Sequence, residues 1–113
     1  TGEILWSTIT DKECKEIDIN CDPGISAAVT AIPGAVIAGH LDGMIRVYDK
    51  VTGNILWSFN SLGNYESVSG TPASGGSFSG SGPSVRNGYM AINSGYGIYN
   101  HMPGNALLLF SID

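Results

Sequence analysis

Charge is scarce in this sequence. Charged side chains make up 13% of its 113 residues, about half the share of roughly 25% usual in soluble domains. Basic residues are the scarcer kind, five Lys and Arg against ten Asp and Glu, for a net charge of -5 and an isoelectric point near 4.7. That balance leaves no electrostatic footprint for nucleic acid or for an anionic membrane surface. No apolar run approaches the roughly 18–20 residues of a membrane-spanning helix. No basic stretch followed by an apolar one opens the chain, so no signal peptide is visible. Helix-forming residues gather only in residues 11–17, and the C-x-x-C-H pattern of covalent haem attachment is missing. Glycine, by contrast, is abundant at 16 residues, and the 42% apolar content is enough for a folded core.

A repeat organises what is there. Thr1-Gly2-Glu3-Ile4-Leu5-Trp6-Ser7 returns as Thr52-Gly53-Asn54-Ile55-Leu56-Trp57-Ser58, identical at six of seven positions and offset by 51 residues. That period sits close to one four-stranded propeller blade of roughly 40–50 residues. The intervening residues read as short strands joined by tight turns. Residues 26–32 are small and β-branched, Pro33-Gly34 is a turn, and Ala35-Val36-Ile37-Ala38 is a short apolar strand. Leu41-Asp42-Gly43 supplies the next turn, residues 44–48 alternate, and residues 50–53 lead into a fourth strand at 55–59. A second copy follows after residues 60–83, of which 13 of 24 are Gly or Ser. There Asn87-Gly88 is a hairpin signal, residues 89–92 match 35–38, and residues 106–112 match 44–48.

The expected fold is therefore all-β: about two four-stranded antiparallel blades of a larger propeller. Residues 1–10 read as the last strand of a preceding blade and 11–25 as an interblade loop. Residues 26–59 form a complete blade, 60–82 a Gly/Ser-rich interblade loop, and 83–113 a final blade lacking its last strand. Because Thr1 is not Met and opens inside a repeated motif, the expectation is a piece of a longer chain.

Asp49-Lys50-Val51-Thr52-Gly53-Asn54-Ile55-Leu56-Trp57 reads D-x-x-T-G-x-x-x-W. It resembles the tryptophan-docking repeat of quinoprotein β-propellers, the pyrroloquinoline-quinone (PQQ) dehydrogenases and their cofactor-free relatives. The resemblance implies an eight-bladed ring in which Trp6 and Trp57 pack between blades, while Asp49, Thr52 and Gly53 build the turn before the fourth strand. Val47 departs from the family's usual Ala. The stretches Ser81-Gly82-Pro83-Ser84-Val85, Asn93-Ser94-Gly95-Tyr96-Gly97 and residues 103–111 are similar to the last blade of polyvinyl-alcohol-dehydrogenase-like proteins.

The same resemblance places the cofactor over the central channel, on the face carrying loops between second and third strands and between blades. His40 and Asp42 lie in one such loop, and Tyr96, Tyr99, Asn100 and His101 in the other, which makes these residues candidates to face PQQ. The simpler reading of Asp42 is plain Asp-Gly turn chemistry, and that of His40 a rim residue with a satisfied hydrogen bond. The aromatic loop reads equally as an exposed cover. Catalytic residues and metal ligands have no matching motif here, so PQQ and Ca²⁺ belong to the full-length protein if to any. Cys14 and Cys21 flank part of an acidic stretch holding five of the ten carboxylates. They are either a local disulfide, as in a secreted or periplasmic protein, or two thiols. Two functions stay open: part of a PQQ-dependent alcohol dehydrogenase-like propeller with an alcohol substrate, or a non-catalytic propeller that binds proteins. In either, the chain's partners are the remaining blades.

Overall fold

The computed structural model describes residues 1–10, 21–97 and 99–112. Every strand in it is antiparallel, and among the described residues no helix is long and apolar enough to cross a membrane. The first sheet holds β1 (Thr30–Ile32), β2 (Ala35–Gly39), β3 (Met44–Asp49) and β4 (Ile55–Asn60) in chain order. β5 (Gly63–Glu66) and β6 (Pro72–Gly75) form a hairpin. β7 (Ser84–Arg86), β8 (Tyr89–Ser94) and β9 (Ala106–Ser111) make a three-stranded second sheet. The architecture is a partial propeller, two meandering sheets packed face to face. Residues 1–10, expected as a strand, join no ladder among the described residues.

Local chemistry sets the strand ends. Pro33 and Gly34 (φ 82°) make the two-residue turn from β1 to β2. Asn87 (φ 51°) and Gly88 (φ 79°) make the one from β7 to β8, left-handed at both positions as a twisted hairpin requires. Between β3 and β4, one Asp49 carboxylate oxygen accepts hydrogen bonds from the backbone amides of Val51 and Thr52, each at 2.8 Å. Those two amides stabilise the ionised form and hold the Asp49 carboxyl below its ordinary value.

The core lies between the two sheets. Ile37 and Ile45 of the first meet Ile92 of the second, with Phe78 between them, and Ile32, Val47, Phe59, Met90, Leu108 and Phe110 pack around this centre. Phe78 is fully buried, although it comes from the Gly/Ser stretch expected to be a loop. That expectation is corrected on two counts. The stretch contributes the β5–β6 hairpin, and its continuation runs between the sheets, with no room for a side chain at Gly75 and Gly76 and with Phe78 filling the core. A Cβ on Gly75 would overlap the Ser61 carbonyl, and one on Gly76 would overlap the Met102 and Pro103 carbonyl oxygens. The small residues are there because three backbones share one seam.

Hydroxyl groups stitch that seam. Ser61 Oγ donates to the Gly43 carbonyl at 2.6 Å and lies 2.8 Å from Ser94 Oγ. Ser94 Oγ accepts from the Gly76 amide at 2.9 Å, and Ser77 Oγ donates to the Leu41 carbonyl at 2.5 Å. All three serines are completely buried. Each meets the rule that buried polar groups must be paired.

Two glycine substitutions separate the two demands on glycine. Gly34→Ala is expected to cost about 1 kcal/mol, the strain of a left-handed L-residue, because nothing lies within 4 Å of the added methyl. Gly75→Ala carries no such backbone strain but drives a methyl into the Ser61 peptide, and should cost at least about 3 kcal/mol. Urea unfolding at fixed protein concentration measures both, and equal losses would contradict the seam.

Candidate functional site

The loop between β2 and β3 closes on itself. The His40 amide donates to the Met44 carbonyl at 2.9 Å and the Gly43 amide to the His40 carbonyl at 3.1 Å, with Gly43 at φ 83°. This is the three-residue hairpin in which a left-handed glycine follows a turn. It points Asp42 back along β3. There the Asp42 carboxylate takes both arms of the Arg46 guanidinium, Nη2 at 2.7 Å and Nη1 at 3.1 Å, and accepts from the Met44 amide. Asp42 is 0% and Arg46 2% exposed. A bidentate pair so enclosed is held by geometry, since taking either charge out of water alone costs several kcal/mol.

His40, 1% exposed, ties three segments together. Its Nδ1 lies 2.6 Å from the Pro23 carbonyl oxygen, which can only accept, so the proton resides on Nδ1. Nε2 then accepts from the Tyr48 hydroxyl at 2.9 Å, and Thr10 Oγ1 lies 3.2 Å from that hydroxyl. Burial, the largest influence, lowers the His40 pKa from 6.5, with the Arg46 charge adding to it against the Pro23 bond and Asp42. Tyr48 in turn stacks on Trp6 at 6.0 Å, and the Trp6 indole donates to the Lys50 carbonyl at 2.9 Å. A Cβ on Gly53 would stand 2.6 Å from the Trp6 ring, so the indole rests against the Thr52-Gly53 turn. Trp57 approaches the second sheet through ring contact. It meets Phe110 edge-on at 5.6 Å, stacks on Phe59 at 6.1 Å, and remains 41% exposed.

The second candidate loop, between β8 and β9, is different in kind. Tyr96 and Tyr99 are 57% and 77% exposed, and Asn100 is exposed with a left-handed backbone (φ 55°). His101 is half-buried and meets the Tyr99 ring edge-on at 6.2 Å. Its Nδ1 and the Ser79 hydroxyl are buried polar atoms without a hydrogen-bond partner, and both lie against Gly97. Both loops converge on the seam: Phe78 donates to the His40 carbonyl, and Gly95 to the Ser77 carbonyl. The fold thus brings the two candidate loops to one end of the sheets.

A quinone and its cation would need free donors and ligands at this end of the sheets. His40 and Asp42 do not fit, because their polar atoms are engaged inside the fold. Tyr96, Tyr99 and Asn100 lie at the surface, and His101 Nδ1 is buried with no partner among the described residues. Among the described residues no group of three or more His, Cys, Asp or Glu could hold a metal ion. Cys21 is disulfide-bonded, and its expected partner Cys14 lies outside the described residues. Arg46, Tyr48, Thr10 and the seam serines were not singled out from the sequence. Arg46 interrupts an apolar strand and so resembled a solvent-facing residue. Only its spacing of four from Asp42, across a tight turn, hinted otherwise.

Comparison with known proteins gives a consistent direction. The chain is 38% identical over 122 aligned positions to a polyvinylalcohol dehydrogenase of Pseudomonas sp, covering 99% of the chain. It is 33% identical over 125 positions to a polyvinylalcohol dehydrogenase of Sphingopyxis sp. (strain 113P3), covering all of the chain. The chain spans 19% of the length of each of these relatives. No protein-family model matches it, and no solved structure matches it.

Two measurements check the buried groups. Because His40 is harder to protonate folded than unfolded, the unfolded state binds more protons just below pH 6.5. Stability should therefore hold above that pH and decline as the pH falls through it toward the lower folded value. Denaturant titrations that show stability rising over this range would contradict the assignment. Asp42→Ala, which strands the Arg46 charge, should cost about 3–5 kcal/mol. Tyr96→Ala should stay within about 0.5 kcal/mol.

Proposed function

We propose that the chain is the frame of two neighbouring blades in a quinoprotein-type propeller that oxidises an alcohol to a carbonyl. The observation that carries this reading is the alignment of the entire chain with two polyvinylalcohol dehydrogenases. The seat of Trp6 on the Lys50 carbonyl and the Thr52-Gly53 turn supports it, as the interblade packing that the repeat motif implies. The remaining blades are then its partners.

When bound, PQQ would accept the two electrons released by the alcohol and Ca²⁺ would polarise the reacting oxygen. Among the described residues no cluster of three or more His, Cys, Asp or Glu offers the ligands for that chemistry. Asp42, Arg46, His40 and Tyr48 fix the end of the first sheet, and the serine seam fixes the second sheet against it. The loop of Tyr96, Tyr99, Asn100 and His101 is the part of the chain free to edge a cofactor chamber or its mouth. The disulfide at Cys21 favours an oxidising compartment, periplasmic or extracellular. A non-catalytic propeller that binds proteins draws on the other fact, that His40 and Asp42 are engaged within the fold.

The deciding experiment takes the full-length protein, loads it with PQQ and Ca²⁺, and follows dye reduction with polyvinyl alcohol and with small secondary alcohols. Alcohol-dependent reduction is expected, with none from the 113-residue chain alone. In the full-length enzyme, Tyr96→Ala is expected to alter KM more than kcat. Silence across all alcohols would overturn the dehydrogenase reading in favour of the binding module.

A further inference from the structure

The two sheets correspond through their strand pairings. Ala35 faces Asp49 and Gly39 faces Ile45 in the first; Tyr89 faces Ser111 and Asn93 faces Leu107 in the second. Phe110 is therefore the counterpart of Tyr48, and Ser94 that of His40. Trp6 meets Tyr48 and Trp57 meets Phe110. Around Trp57 the rings are Phe59 and Phe110, and a bare phenyl ring gives up an electron far less readily than a phenol. Around Trp6 stand a phenol and an imidazole instead. The second sheet forms with neither, so the pair is no requirement of the strand pattern.

The two groups are joined. The hydroxyl of the buried Tyr48 donates to His40 Nε2 at 2.9 Å, within reach of direct proton transfer. The Pro23 carbonyl holds the imidazole proton on Nδ1, which leaves Nε2 as the base. Thr10 Oγ1, 3.2 Å from the same hydroxyl, can donate to the phenol oxygen once its proton has left. The Trp6 ring lies 6.0 Å from that of Tyr48, inclined by 30°. Its indole N–H is spent on the Lys50 carbonyl, which accepts a hydrogen bond but takes no proton. An electron lost from Trp6 therefore leaves a cation that stays charged and strongly oxidising. One lost from Tyr48 is compensated by the move of the proton to Nε2, so the vacancy passes from Trp6 to Tyr48. Tyr65 supplies the contrast, since its hydroxyl donates to the Ser61 carbonyl at 2.8 Å and meets no base there.

We infer that Tyr48 is a redox-active tyrosine, oxidised by one electron through Trp6 and deprotonated by His40. The co-reactant is an outer-sphere one-electron oxidant. That oxidant takes an electron from Trp6, and Trp6 takes one from Tyr48. The Tyr48 O–H bond breaks as its proton forms an N–H bond at His40 Nε2. The products are the reduced oxidant, a neutral Tyr48 phenoxyl and a His40 imidazolium. Asp42 favours that imidazolium, while burial and the Arg46 charge oppose it. The proton moves despite the opposition, because an oxidised phenol is a far stronger acid than an imidazolium. Return of an electron sends the proton back, so the pair holds an oxidising equivalent reversibly and away from solvent.

The test oxidises the full-length protein, with no alcohol added, by flash-generated tris(bipyridyl)ruthenium(III) and follows it by electron paramagnetic resonance. A neutral tyrosyl spectrum is expected, and Tyr48→Phe should remove it. Trp6→Phe should slow its appearance, whereas Trp57→Phe should leave the rate unaltered. His40→Gln still accepts from the hydroxyl but takes no proton, and should slow the appearance at least roughly tenfold. Should that variant fail to fold, the unaltered protein decides: the radical should form more slowly in deuterium oxide and couple to one exchangeable proton. A tyrosyl spectrum that survives Tyr48→Phe unchanged overturns the assignment. So does equal slowing by Trp6→Phe and Trp57→Phe, or formation indifferent to deuterium oxide. Neither alcohol turnover nor PQQ enters the readout, so a failure here leaves the dehydrogenase reading standing.

Discussion

The fold rests on contact between peptide groups, with hardly a side chain between them. At Gly75 and Gly76 the chain passes so close to the Ser61, Met102 and Pro103 carbonyls that a single methyl would collide with them. Backbones can approach this closely only where their donors and acceptors are matched, and the hydroxyls of Ser61, Ser77 and Ser94 supply the matching. The apolar centre around Phe78 depends on that approach. Were the sheets held apart by ordinary side chains at the seam, Ile37, Ile45 and Ile92 would no longer reach a common ring.

The same constraint explains what could be read from the sequence. Strands and turns were legible because their chemistry is local. Asn87-Gly88 and Pro33-Gly34 announce hairpins through backbone angles that few other residues adopt. The apolar runs between them match β2, β3, β4, β8 and β9 within a residue or two. Residues 60–82 were opaque because glycine and serine signal flexibility and close packing alike. Which of these applies depends on chain far away in sequence. Arg46 was opaque for a related reason, since strand alternation reports a face and not what covers it.

The candidate site divides along a similar line. His40 and Asp42 were found by position in a loop, and the structure gives them firm positions and inward-facing partners. Their type suggested chemistry, whereas their burial shows a clamp holding residues 10, 23 and 48 on one another. The exposed loop of Tyr96 and Tyr99 was legible as a loop only. The buried polar atoms of Ser79 and His101, without partners among the described residues, have no sequence signature, because they meet where two loops come together.

The short connection between β3 and β4 has a kinetic consequence. Two nearly identical heptapeptides are candidates for the same edge of β3. Only one of them follows it directly, through the turn that Asp49 caps, with five residues between strands. The other must close a loop of over thirty residues, a handicap of about 2 kcal/mol in chain entropy. During folding the nearer segment therefore holds the advantage for that edge. Turn length, then, settles a competition that sequence identity alone would leave undecided.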